Sequence, residues 1–153
     1  MRVKKRVLLF VAALALGLAV TAMALAGGTT RGAKLLGANE VPGPGDPNGK
    51  GWAAVTLNAT KGTVCWKIAA WDLSSTPTAA HIHRGTAAEA GPVVVTLSPP
   101  VGGDSAGCTT ASSSLVKDIA RNSGGYYVNV HTTEFPAGAI RGQLGTVGSA
   151  NFN

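Results

Sequence analysis

The amino-acid sequence predicts an all-β domain, an antiparallel Greek-key-like sandwich or barrel of about seven strands with one short helix. Short runs rich in valine, isoleucine, threonine and aromatic residues recur at close spacing. Clusters of Gly, Pro, Asn, Asp and Ser separate them, and only one segment has helical periodicity. A parallel sheet would need a long crossover, usually a helix, between successive strands.

The elements follow in order. Gly27 to Lys34 is small and polar and reads as a disordered lead-in. Leu35 to Val41 is a short strand candidate. Pro42 to Gly49 holds three prolines and three glycines and reads as a loop. Gly51–Ala59 and Thr63–Asp72 are long runs joined by Thr60-Lys61-Gly62, a hairpin signal. Leu73 to Thr78 connects to Ala79–Arg84, a strand carrying two histidines. Gly85–Gly91 is a loop, Pro92–Leu97 a β-branched strand, and Pro99 to Gly107 a loop again. Ser112 or Ser113 can cap a helix whose apolar face is Leu115, Val116 and Ile119, with Gly124 past its end. Tyr126–Thr132 and Ala139–Leu144 are the last strands, and the tail from Gly145 is expected to fray. Trp52, Trp66 and Trp71 read as core, as large aromatics in a small β-domain usually are.

The chain opens with the pattern of an export signal. Met1 to Arg6 is basic, Val7 to Ala22 almost wholly apolar, and Ala24-Leu25-Ala26 fits a small-x-small cleavage site. Cleavage after Ala26 leaves 127 residues, enough for one domain around one core. Uncleaved, the apolar run would serve as a membrane anchor, the one route to a membrane that the sequence offers. The formal charge of +6 shrinks without the signal, because four of the 13 basic residues lie in it. Nine basic and seven acidic residues remain, a net +2. The basic residues are scattered, so nucleic-acid binding has no support. Two cysteines, Cys65 and Cys108, read first as a disulfide in an exported chain. Free thiols or a metal-thiolate site are the alternatives, without the CxxC spacing that would favour the latter.

The three histidines are the chemistry-bearing residues. In a strand alternate side chains share a face. His81 and His83 therefore share one face, with Ala80 and Ile82 on the other. Asn129 and His131 likewise share a face, opposed by Val128 and Val130. A His-x-His pair can converge on one ion, and His131 is the only histidine left to complete a three-imidazole site of the kind copper or zinc accepts. Asn129 is a candidate for its outer shell. Hydrogen-bonded sheet histidines without a metal are the alternative. Arg141 reads either as a guanidinium guiding an anion to that site or as a structural ion pair with Glu134. No Gly-x-Ser-x-Gly elbow, paired carboxylates or phosphate-cradling loop is present. Asp72, Glu89, Asp104, Asp118 and Glu134 are isolated.

Four motifs in series carry a resemblance. They are Ala79–Gly85 (AAHIHRG), Gly91–Val95 (GPVVV), Tyr127–Thr132 (YVNVHT) and Phe135–Leu144 (FPAGAIRGQL). With Glu40-Val41-Pro42 as an opening motif, the segment 35–145 resembles the CHRD domain, a module named after chordin that also occurs as a lone exported domain in microbes. The resemblance implies a secreted or envelope β-domain with no settled activity, more a binding module than an enzyme, and an unidentified envelope or extracellular partner. It puts His81, His83, His131 and Arg141 on motif positions. The His-x-His strand is also similar to copper-zinc superoxide dismutase, which implies a small single-metal redox enzyme as the alternative. That enzyme's paired-metal site needs six histidines and an aspartate, and this chain has three histidines.

Overall fold

The computed structural model describes residues 28–147. The export-signal segment, its cleavage site and the end of the tail lie outside the described residues. Nine strands are present: β1 (Thr29–Leu36), β2 (Lys50–Asn58), β3 (Thr63–Trp71), β4 (Pro77–Arg84), β5 (Val93–Leu97), β6 (Asp104–Thr110), β7 (Tyr126–Thr132), β8 (Ile140–Gln143) and β9 (Gly145–Thr146). One α-helix, α1 (Ser113–Arg121), joins them. All strands belong to one antiparallel sheet in the order β5-β4-β7-β8-β1-β2-β3-β6, with β9 beside β1. The sheet curls into a nearly closed barrel. Strand β6 returns beside β3 and β7 beside β4, long returns of the kind a Greek key needs.

The inner face explains the closure. Alternate residues of β2 (Ala53, Val55, Leu57), β3 (Val64, Trp66, Ile68), β4 (Ala80, Ile82) and β7 (Val128, Val130) are buried in one cluster with Leu35 and Ile140. Helix α1 packs Val116 and Ile119 into this cluster. Ser112 caps the helix by accepting a hydrogen bond from the Leu115 N–H at 3.3 Å. The face expected of the helix is thus the buried one, with Leu115 half-buried at its rim.

The strand candidate Leu35–Val41 ends at Leu36 and gives way to a 3-10 turn at Gly37–Asn39, and three further stretches differ from the sequence expectation. The lead-in expected to be disordered is mostly β1, which pairs with β2 along its whole length from Thr29↔Leu57 to Leu36↔Lys50. The segment Asp104–Gly107, expected as loop, belongs to β6, held by seven register pairs with β3. Gly145 and Thr146, expected in a frayed tail, pair with Gly32 and Arg31. In each case neighbouring strands supply the pairing that the residues' own low β-propensity does not advertise. Of the tryptophans, Trp66 is buried, Trp52 half-buried and Trp71 exposed, so Trp71 is not core.

Cys65 and Cys108 form a disulfide across directly opposed positions of β3 and β6. It closes a loop of 43 residues in sequence separation. Replacing both cysteines by serine should lower unfolding stability by about 2–4 kcal/mol in urea titrations. An unchanged midpoint would show that β6 needs no crosslink.

Candidate functional site

The site is the outer face of the β4–β7–β8 portion of the sheet. The same two-residue period that buries Ala80 and Ile82 sends His81 and His83 outward, and Asn129 and His131 leave β7 on that side. Register then decides who meets whom. His81 lies opposite Asn129, His83 opposite Tyr127, and His131 opposite Ala79. The next strand sets Arg141 beside Asn129 and Gln143 beside Tyr127. The three histidines therefore sit on one patch, His131 diagonal to His81.

They converge. One ring nitrogen from each lies within 4.8 Å of the others. The His81 and His131 ring centroids are 4.9 Å apart, and His81 and His83 are 5.5 Å apart. Tetrahedral zinc with bonds of 2.0–2.1 Å would place its nitrogens roughly 3.3 Å from one another, so the widest pair needs to close by about 1.5 Å. Among the described residues no cysteine or carboxylate joins the group.

Backbone carbonyls decide where the protons sit. Gly91 O lies 2.8 Å from His83 Nδ1, and Pro136 O lies 3.0 Å from His131 Nδ1. A carbonyl only accepts, so both Nδ1 atoms carry hydrogen. The neutral rings are left with lone pairs on Nε2. His83 Nε2 is buried with no hydrogen-bond partner, while His131 Nε2 faces His81 Nδ1 at 3.0 Å. In the neutral cluster His81 donates from Nδ1 to His131. A shift of that proton to its other nitrogen frees a third lone pair. Burial, followed by the nearby His131 and His83, lowers His81 to about 4. Burial also lowers His131, against the raising effect of its bond to Pro136 O and with a further lowering from His83. His81 and His131 thus favour neutral rings, the form in which imidazole ligates.

The face is polar but not open. Asn129 is 3% exposed and Arg141 1%, and His83 and Tyr127 are buried as well, beneath the 37–49 and 85–91 segments. The Arg141 guanidinium lies 3.3 Å from the Tyr127 ring centroid, and Nη2 donates to Thr86 O at 2.7 Å and Glu89 O at 2.8 Å. Arg141 makes no ion pair with Glu134; the ion pairs among the described residues are Lys50–Asp72 and Arg84–Asp118. Nor does a guanidinium so enclosed meet anions arriving from solvent. Asn129 is placed between the histidines and Arg141, in contact with Glu40 rather than with a ring nitrogen.

Glu40 is the site residue that reasoning on chemistry passed over. It is buried, and burial raises its carboxyl to about 7 despite the lowering effects of Arg141 and of a hydrogen bond from Asn129. Gly138, at φ +150°, makes the space: a Cβ there would lie 2.5 Å from the Glu40 carboxylate. A lone charged residue between Leu35 and Pro44, where the chain is mostly apolar or glycine and proline, was the available signal. The neighbouring loop is held by Asp46, also fully buried, which accepts from Ser74 Oγ at 2.6 Å, Ser74 N at 2.7 Å, and the Asn48 and Gly49 N–H groups at 3.1 Å. Burial opposes ionisation there, but these four bonds outweigh it and lower the Asp46 pKa.

An antiparallel β-barrel carrying a buried polar layer and a three-imidazole cluster is the class of domain that fold and site define. The chain matches the CHRD domain over residues 31–144 and belongs to that family. No curated protein and no solved structure matches it.

Glu40 gives a pH test. Its folded-state carboxyl is raised, so its contribution to stability is present below about 4.5 and is lost as pH rises through about 7. Glu40→Gln should gain on the parent by about 3 kcal/mol between pH 4.5 and 8 in chemical denaturation. A stability difference independent of pH would remove the assignment of a neutral buried carboxyl.

Proposed function

We propose that this CHRD domain is an exported module that captures a single copper or zinc ion through His81, His83 and His131. One observation carries the reading: two of three clustered rings have their Nδ1 hydrogens tied to backbone carbonyls, which leaves Nε2 as their ligating nitrogen, and that of His83 is buried and unpartnered. Metal-ligating histidines almost always make such an outer hydrogen bond, which fixes the tautomer and the ring orientation. A buried acceptor with no donor is costly unless something fills the role. A metal ion would do so for all three rings at once. Three neutral nitrogen ligands suit Zn²⁺ or copper better than Mg²⁺ or Ca²⁺, which prefer oxygen. Export is supported by the N-terminal signal pattern and by a disulfide, a bond that persists in oxidising compartments. In this reading binding is the activity, and the chemistry the ion supplies is ligation alone.

Calorimetric titration with Cu²⁺ and with Zn²⁺ tests it. One equivalent per chain is expected. His83→Ala should weaken binding by more than the 10–100-fold that loss of an outer-shell partner costs. A triple His→Ala chain that binds as tightly as the parent would end the proposal.

A further inference from the structure

The loop Gly85–Gly91 lies against the site. Its residues 86–90 are exposed and contain no apolar anchor larger than alanine, so packing alone does not hold it down. Polar side chains of the sheet grip its backbone instead. Arg141 Nη2 takes the carbonyls of Thr86 and Glu89, Gln143 Nε2 donates to Gly85 O at 2.7 Å, and the Gly91 N–H donates to the Tyr127 hydroxyl at 3.1 Å. The loop ends at Gly91, whose carbonyl fixes the His83 Nδ1 hydrogen. Tyr127 adds a second route. Its ring contacts the Arg141 guanidinium on one hand and stacks on His83 on the other, at 4.8 Å and 9° between planes.

From this chain of contacts we infer that Arg141 is a positioning residue for His83: it binds no ligand itself, but by holding the 85–91 loop and the Tyr127 ring it keeps the Gly91 carbonyl on Nδ1 and so turns the Nε2 lone pair toward the cluster. Arginine suits the task and lysine does not. A planar guanidinium can lie on a ring while it donates to carbonyls in its own plane, whereas an ammonium is a compact point donor. The inference deepens the metal reading, yet concerns a proton position that exists without any ion.

The test uses ¹⁵N-labelled metal-free protein, where long-range ¹H–¹⁵N spectra show which His83 nitrogen bears hydrogen. The parent should show Nδ1–H alone. Arg141→Lys should show a mixture of the two tautomers and bind Zn²⁺ about 10-fold more weakly. A role in packing alone would lower the melting temperature and leave the tautomer unchanged, and that outcome in folded Arg141→Lys overturns the inference. If this variant does not fold, two glycines inserted between Ala87 and Ala88 slacken the loop with Arg141 in place. A mixed His83 tautomer is again expected, and an unmixed one is again decisive against. Should the parent bind no Zn²⁺ while its tautomer shifts as described, the capture reading fails and the positioning role stands.

Discussion

The pairing of β4 with β7 imposes two demands on the same residues. Ala80 and Ile82 must meet Val130 and Val128 inside the barrel, since all four are fully buried. By the period of a strand, this forces His81, His83, Tyr127, Asn129 and His131 onto the opposite face together. A slip of one residue would drive the imidazoles into the core and the valines outward. The hydrophobic effect that closes the barrel therefore also sets the register of the imidazole cluster. The site is not an addition to the fold but its reverse side.

That reverse side is covered, which distinguishes it from an ordinary solvated sheet face. Covering polar groups costs free energy unless they find partners. Arg141 is partly compensated by the carbonyls of Thr86 and Glu89 and by the Tyr127 ring, and Glu40 favours its neutral form. Of the six buried side-chain atoms without partners among the described residues, five (Glu40 Oε1, His83 Nε2, Asn129 Oδ1, Arg141 Nη1 and Gln143 Oε1) belong to this layer. That concentration in one place is the pattern on which the metal-capture proposal draws.

The parts legible from the sequence were those whose own residues carry a period. The alternating runs of β2, β3, β4 and β7 and the apolar face of α1 announce themselves. Strands β1 and β6 do not, because Thr-Thr-Arg-Gly-Ala-Lys and Asp-Ser-Ala-Gly-Cys-Thr-Thr contain little that a strand needs on its own account. Their structure comes from β2 and β3 beside them. For the site, alternation revealed which side His81, His83 and His131 take, but their meeting depends on the register that sets His131 opposite Ala79. Burial of the face was not legible either. It arises from the 85–91 loop and the segment around Glu40, which fold back from other parts of the chain.

Among the described residues the barrel does not close by hydrogen bonds, so β5 and β6 are left as its two edges. A free edge is a template on which another copy can add a strand. Strand β6 is a poor template, made mostly of small polar residues, whereas β3 beside it carries Val64, Trp66 and Ile68. The Cys65–Cys108 bond rivets the unappealing strand along the edge of the sticky one. Under reducing conditions β6 could peel away and offer β3 to its neighbours, which makes the crosslink a guard against aggregation as well as a brace.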